Sequence, residues 1–145
     1  MPTYKEVLDI NESYALDNGK EDSGVKILLL HFAKMTSSDL ILSMDKEIPD
    51  DIYQDFLYGV DRYITKNIPV QHITGVEYFY GYEFIVNSNV LIPRFETEEL
   101  VANVLMMYDD VFDGGSVQVV DIGTGSGCLA LTLDKEEPNM TVSAT

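Results

Sequence analysis

A glycine-rich segment near the end of the chain contains the residues whose types and spacing could do chemistry. It reads Asp121-Ile122-Gly123-Thr124-Gly125-Ser126-Gly127 and lies between a β-branched run at residues 117–120 and an apolar run at helical spacing. This order predicts a strand buried on both faces, a tight turn and a helix. Glycines accept positive φ and let a ligand approach the backbone, and the amides of residues 126–129 would face an anionic or strongly accepting group. The segment therefore predicts a ligand site at the carboxyl edge of a parallel sheet.

The spacing of the glycines narrows the class of ligand. A dinucleotide fingerprint requires glycine where this chain has Cys128, and a Walker phosphate loop requires a Gly-Lys-Ser/Thr sequence that does not follow here. The pattern is instead Asp-x-Gly-x-Gly-x-Gly, beginning at Asp121, and it resembles the first motif of class I S-adenosylmethionine-dependent methyltransferases. A turn with a purely structural role is the alternative that the glycines alone leave open.

The charge of the chain disfavours nucleic acid as a direct partner. Its 145 residues include 9 basic and 25 acidic side chains, which gives a net charge of -16. From residue 73 onward only Arg94 and Lys135 are basic. Because such a surface repels phosphate backbones, we expect no direct nucleic-acid binding.

Several sequence features predict a protein of the reducing cytoplasm. The single cysteine permits no intrachain disulfide bond. The first residues lack the basic flank and apolar core of a signal peptide, and no apolar run approaches a membrane-spanning length. We therefore expect a cytoplasmic protein without a membrane partner.

Residues 1–72 are predicted to form a small helical bundle that has no chemistry of its own. Residues 3–6 fit a capping box, residues 36–39 cap a short helix, and Pro49 begins a longer one. A widely apolar helix that begins near Asp22 is expected at the centre of the bundle. The bundle contains neither a nucleophile–base pair nor a cluster with metal-ligand spacing.

The remaining residues predict a connector and then an α/β domain. Residues 69–75 are a turn-rich connector, and the connector domain at residues 73–94 contains an aromatic β-hairpin centred on Gly81. Residues 95–145 predict a helix that ends at about Tyr108, followed by the start of a doubly wound, Rossmann-like sheet. The fold class is therefore α plus α/β. Since one strand–helix–strand unit cannot cover both faces of a parallel sheet, we expect a truncated N-terminal part of a longer protein.

Three further segments precede the glycine motif in an order that is similar to one family. They are Pro69-x-Gln71-x-Ile73-x-Gly75, the hairpin with Phe79-Tyr80-Gly81, and Leu91-Ile92-Pro93-Arg94-x-Glu96-Thr97-Glu98. Together with the helical region, they make nearly the whole chain resemble the peptide chain release factor glutamine methyltransferases. The resemblance implies that residues 1–72 dock the protein substrate. Two positions depart from that family, because Phe95 stands where proline is usual and His72 where tyrosine is common.

The resemblance implies a reaction and a set of residues. The reaction is methyl transfer from S-adenosylmethionine to the glutamine of the Gly-Gly-Gln motif in a release factor, with no metal. The Asn-Pro-Pro-Tyr loop that would bind the glutamine amide is expected beyond Thr145, so we expect no catalytic residue in this chain and no activity from it alone. The resemblance implies that the cofactor-binding residues are Asp121, Gly123, Thr124, Gly125, Ser126, Gly127, Glu96 and Thr97, and the substrate-binding residues Phe79 and Arg94.

Simpler roles stay open for several of these residues. Asp121 could only cap local amides, Glu96 and Thr97 could only cap a helix, Phe79 could only pack in the hairpin, and Arg94 could pair with an acid. For the whole chain, the alternatives are a ribosomal-protein glutamine methyltransferase, a nucleic-acid amino-methyltransferase, which the charge disfavours, and a non-catalytic module that docks a protein.

Overall fold

The computed structural model describes residues 1–145 and divides them into two compact units, Met1–Thr74 and Gly75–Thr145, here called unit 1 and unit 2. Unit 1 is entirely helical, and unit 2 contains both helices and strands. The N-terminal helical region and the partial Rossmann-like start that the sequence predicts are therefore both present. None of the helices combines the length and the apolar composition needed to cross a bilayer.

Five helices form unit 1. They are α1 (Tyr4–Asp17), α2 (Asp22–Ala33), α3 (Ser37–Ser43), α4 (Asp50–Ile64) and α5 (Val70–Thr74). Thr3 and Thr36 close α1 and α3 with the capping boxes that the sequence predicts. The turn-rich connector expected at residues 69–75 is instead largely α5, because the Pro69 carbonyl accepts hydrogen bonds from the amides of His72 and Ile73.

The core of unit 1 lies around α2, which packs against α1, α4 and α5. The side chains of Leu28, Leu29 and Phe56 are fully buried in this core. Two glycines let side chains of facing helices approach closely: a Cβ atom at Gly59 would lie 2.5 Å from the Phe32 ring, and one at Gly24 would lie 2.5 Å from the Tyr63 ring. The predicted central position of α2 is thus confirmed.

Unit 2 begins with the predicted β-hairpin. Strands β1 (Val76–Phe79) and β2 (Tyr82–Ile85) pair antiparallel, with Phe79 opposite Tyr82. The two-residue turn has positive φ at both positions, 52° at Tyr80 and 79° at Gly81. This is the geometry of a type I′ turn, whose twist matches the twist of the flanking strands.

A parallel β-α-β arrangement follows the hairpin. Unit 2 continues with α6 (Thr97–Phe112), β3 (Val117–Asp121), α7 (Cys128–Glu136) and β4 (Met140–Ala144). Strands β3 and β4 pair in parallel, from Val117 opposite Met140 to Asp121 opposite Ala144. Helix α6 extends one turn beyond the predicted end at Tyr108, because the left-handed residues that end it are Asp113 and Gly114.

The prediction that β3 is buried on both faces is wrong for this structure. Val117 and Val119 pack on the core that α6 and α7 form on one face of the strand pair. On the other face, Val120 is 60% exposed, and Ile122 after the strand is 82% exposed. The sequence pattern described a strand with two covered faces, and only one layer of helices is present to cover them.

Candidate functional site

The glycine turn connects β3 to α7 and has the backbone conformation that only glycine adopts easily. The φ angles are 74° at Gly123, 58° at Gly125 and 83° at Gly127. A Cβ atom at Gly123 or Gly125 would meet no atom within 4 Å, so the space above the turn is open. The turn therefore exposes backbone to a ligand at the carboxyl end of the strand.

Hydrogen bonds fix the shape of this turn. The amides of Gly123 and Thr124 both donate to the Thr145 carbonyl at 3.0 Å, and the Thr145 amide donates to the Asp121 carbonyl at 3.0 Å. The Thr124 hydroxyl donates to Asp121 Oδ2 at 2.7 Å. Asp121 thus orients the turn through its backbone and its side chain, and its Oδ1 atom makes no hydrogen bond.

The N-terminus of α7 presents unpaired amides beside the turn. Gly127 is the N-cap residue and supplies no side-chain cap. The first amide with a carbonyl partner is that of Leu131, which donates to Gly127, while the amides of residues 128–130 have none. Together with the helix dipole, these amides favour an anionic or strongly accepting group at this end.

Helix α6 lies beside β3, and the two elements line an apolar groove of about 440 Å³. The α6 residues of this groove begin at Val104, so Glu96 and Thr97, at the other end of the helix, do not line it. The structure records no contact between these two residues and the glycine turn. Glu96 is the N-cap residue of α6, but its side chain accepts no hydrogen bond from the first amides of the helix. The capping role that the sequence left open for its carboxylate is therefore not present.

The two predicted substrate residues have different surroundings. Arg94 is exposed and forms no ion pair, so the pairing with an acid that its charge allowed is not present. Phe79 is 1% exposed and packs edge-on against Phe84, with ring centroids 6.2 Å apart. Packing within the core of unit 2 therefore accounts for the Phe79 ring.

A second cavity extends the site from the glycine turn to the hairpin. We call it the hairpin pocket. It has a volume of about 420 Å³. Its walls are Tyr82, Glu83, Phe84, Ile85, Ser126, Leu131 and Lys135. Strand β2 and Ser126 of the glycine turn thus face the same space, a relation that the sequence alone did not reveal.

Sequence reasoning missed the residues that hold the hairpin. Glu98 Oε1 accepts a hydrogen bond of 2.6 Å from the Tyr80 amide, and Glu136 Oε1 accepts one of 2.8 Å from the Tyr82 hydroxyl. The bond to Glu136 raises the pKa of the Tyr82 hydroxyl above its ordinary value. Lys135 Nζ lies 5.3 Å from the centre of the Tyr82 ring. Both carboxylates are distant from their partners in sequence, so no local pattern indicates these bonds.

The side chains form no cluster of three or more histidine, cysteine, aspartate or glutamate residues that could hold a metal ion. The groups suited to a ligand at the glycine turn are instead its backbone, the free amides of α7 and the Oδ1 atom of Asp121. Elsewhere in unit 2, the side chains of Glu96 and Arg94 have no capping or ion-pair partner. This arrangement can bind a small molecule that has both an accepting group and a cationic group.

Comparisons with known proteins find relatives that are similar to this chain along nearly its whole length. Residues 10–75 match the family model described as PrmC N-terminal domain. A release factor glutamine methyltransferase of Bacillus subtilis (strain 168) is 43% identical over 99% of this chain and 50% of its own length. That of Staphylococcus aureus (strain NCTC 8325 / PS 47) is 38% identical over 100% of this chain and 50% of its own length.

This chain also matches a relative with a different name, of which it covers a smaller share. The bifunctional methyltransferase of Rickettsia prowazekii (strain Madrid E) is 34% identical over 83% of this chain and 26% of its own length. The chain spans about half the length of the first two relatives. The resemblance that the motifs indicate is therefore confirmed along the chain, for the N-terminal part of the family.

Proposed function

We propose, on the premise that this chain belongs to the release factor glutamine methyltransferase family, that it is the N-terminal part of an enzyme that methylates a release factor. The methyl group would pass from S-adenosylmethionine to the glutamine side chain of a Gly-Gly-Gln motif. The observation that carries this proposal is the open glycine turn between β3 and α7, in a chain 43% identical to a relative with that name. We infer that residues 1–145 alone are inactive.

The glycine turn fits the methionine part of S-adenosylmethionine. Open space above Gly123 and Gly125 leaves room for the ligand, and the free amides of residues 128–130 suit its carboxylate. The free Oδ1 atom of Asp121 suits its ammonium group. When bound, this cofactor supplies an electrophilic methyl group on a sulfonium. Thr124, Ser126 and Gly127 complete the turn beneath it.

The start of α6 supplies the other residues of the proposed site. Glu96 and Thr97 would border the cofactor, since the Glu96 carboxylate is exposed and makes no cap within the chain. Arg94 would bind carbonyl oxygens of the substrate, because it is exposed and has no acidic partner. Phe79 would support the substrate side indirectly, through the hairpin core in which it is buried.

The substrate imposes its own chemical demand. The nitrogen of a glutamine amide is a weak nucleophile, because its lone pair is delocalised into the carbonyl group. An enzyme must therefore orient the amide and accept its hydrogens as the nitrogen becomes pyramidal. We assign those acceptors to an Asn-Pro-Pro-Tyr loop in the remainder of the longer protein. The proposed partner is a release factor in the cytoplasm, and nucleic acid is disfavoured by the charge of -16.

Two other functions have some support. A ribosomal-protein glutamine methyltransferase would present the same turn. A non-catalytic docking module fits unit 1 in particular. That unit has its own core, and the family model, which covers residues 10–75, matches most of it. In the proposed function, unit 1 docks the release factor and unit 2 binds the cofactor.

The test is transfer of labelled methyl from S-adenosylmethionine to purified release factor and, separately, to ribosomal proteins. The 145-residue chain and a full-length enzyme that begins with it are assayed side by side. We expect label only on the release factor and only with the full-length enzyme. Label on a ribosomal protein would assign the chain to the other substrate, and label on neither would refute the methyltransferase proposal.

A matched pair of variants tests the glycine turn. Gly125→Asp places a charged side chain in the open space of the turn. We expect the full-length enzyme with this substitution to lose its affinity for S-adenosylhomocysteine, which calorimetry measures. Gly114→Asp is the control, because Gly114 also has positive φ, 76°, and open space around its Cβ position, but lies in the loop before β3. Equal binding by both variants would show that the turn is not the cofactor site.

A further inference from the structure

The hairpin turn depends on a hydrogen bond from outside the hairpin. Phe79 and Tyr82 pair with each other across the turn, so the Tyr80 amide has no partner in the ladder. Glu98 Oε1 accepts this amide at 2.6 Å, in a partly buried contact. Because Glu98 is in the first turn of α6, its negative charge is also favoured by the helix dipole.

The same helix and hairpin share a core beneath this bond. Phe79, next to the turn, and Val101, one turn after Glu98, are 1% and 0% exposed and belong to one cluster. Packing alone holds two surfaces together without fixing their register. A directional hydrogen bond to a single amide fixes where the turn lies along α6.

The position of the hairpin matters because β2 forms one wall of the hairpin pocket. Residues 82–85 line this pocket opposite Leu131 and Lys135, and Ser126 brings the glycine turn to its edge. Any shift of the hairpin turn along α6 therefore moves this wall relative to Ser126.

We propose that Glu98 is a positioning residue, which sets the hairpin wall against the glycine turn by accepting the hydrogen bond of the Tyr80 amide. Its importance for methyl transfer rests on the proposed function. Glu98 accepts its hydrogen bond from the Tyr80 amide and not from Ser126 or a glycine of the turn, so its loss changes the geometry of the pocket without removing a group from the proposed cofactor site.

The first experiment measures amide hydrogen exchange in the 145-residue chain. We expect Glu98→Ala to speed exchange at Tyr80 about tenfold and to shift the resonances of Ser126 and residues 82–85. Glu98→Gln retains a carbonyl acceptor and is expected to restore most of the protection. Glu99→Ala is the matched control, because Glu99 carries the same charge on the same helical turn, is exposed and accepts no side-chain hydrogen bond.

The second experiment compares the same variants in the full-length enzyme. We expect Glu98→Ala to lower kcat about tenfold through misplacement of the wall, with S-adenosylhomocysteine affinity within about twofold of wild type. Equal effects of Glu98→Ala and Glu99→Ala on exchange or on kcat would overturn the proposal. If the wild-type enzyme methylates no acceptor, the proposed function fails, and the exchange data alone decide whether Glu98 fixes the hairpin wall.

Discussion

The two units have nearly equal length, 74 and 71 residues, but their cores contain different numbers of buried residues. The core cluster of unit 1 contains 13 buried residues, whereas that of unit 2 contains 7. Unit 2 also has an apolar groove of about 440 Å³ along α6 and β3, and an exposed strand face at Val120. Helices can pack their apolar stripes on one another within a short chain, while a parallel sheet needs a layer on each face.

The two units also differ in how side chains cap the N-termini of their helices. In unit 1, the capping boxes of α1 and α3 use side chains of the chain itself to satisfy the first amides. In unit 2, α7 begins at Gly127 with no side-chain cap. An uncapped start is not a site by itself, because α2 and α4 also lack side-chain caps. What distinguishes α7 is the open glycine turn before it, and the proposed cofactor site rests on that turn and not on the missing cap.

The largest loss of stability is expected from a substitution in the core of unit 1. Phe56→Ala removes a fully buried ring, and we expect α2 and α4 to lose about 3–5 kcal/mol of opening free energy in native-state amide exchange. Val120→Ala in unit 2 should change the protection of β3 by less than about 0.5 kcal/mol, because Val120 lies on the uncovered face. Similar losses at the two positions would mean that the exposed strand face is covered in solution.

Two glycine substitutions then separate lack of space from backbone strain. Gly59→Ala puts a Cβ atom 2.5 Å from the Phe32 ring, so we expect a loss of about 1–3 kcal/mol from overpacking. Gly125→Ala meets no neighbouring atom, but its φ of 58° costs an L-residue about 1–2 kcal/mol. Urea unfolding of both variants measures these losses.

Further substitutions show whether lack of space or backbone strain destabilises each variant. Phe32→Leu should restore the Gly59→Ala variant, because it gives the new methyl group room. Gly125→Asn should be milder than Gly125→Ala, since asparagine tolerates positive φ better. A rescue of Gly125→Ala by trimming any neighbouring side chain would contradict the open space above the turn.

A smaller effect is expected at the helix caps of unit 1. Thr36→Ala removes the side chain that accepts the Asp39 amide at 3.2 Å, and we expect a loss of about 1 kcal/mol at pH 7 by thermal unfolding. Ser38→Ala, on the exposed first turn of the same helix, is the control and should cost nothing measurable. If both substitutions cost the same, the capping box does not stabilise α3.

The same cap has a defined pH dependence. Hydrogen bonds from Thr36, first from its amide and then from its hydroxyl, lower the pKa of Asp39 below its ordinary value of 3.8. A carboxylate whose pKa is lowered by folding stabilises the protein above pH 3.8, and that contribution is lost as pH falls through the lowered pKa. The difference between wild type and Thr36→Ala should therefore shrink in thermal melts at pH 3.

The smallest effect is expected at the ion pair of unit 1. Lys66 Nζ lies 3.6 Å from Asp61 Oδ2, and both side chains are about half exposed, at 55% and 48%. We expect Lys66→Ala to cost less than about 0.5 kcal/mol and the loss to vanish in high salt, as is usual for exposed pairs. A larger loss, insensitive to salt in urea unfolding, would indicate that Lys66 acts through its contact with the Tyr58 ring.

Local patterns were sufficient wherever neighbouring residues satisfy each other. The capping boxes at Thr3 and Thr36, the two-residue turn at Tyr80-Gly81 and the strand–turn–helix at Asp121 each involve partners within a few positions. The end of α6 was predicted one turn too early, because its acidic residues read as loop, while the left-handed residues that end the helix lie further on.

The sequence by itself determined the order of the elements, the glycine turn and the resemblance to one family, since these depend on periodicity, caps and short motifs. Only the tertiary structure decided which groups meet across the chain. It placed Phe79 in a core, paired Glu98 with the Tyr80 amide and left Val120 uncovered. The physical reason is that such contacts depend on how whole elements pack, and a residue's partner 18 or more positions away leaves no periodic signal in the sequence.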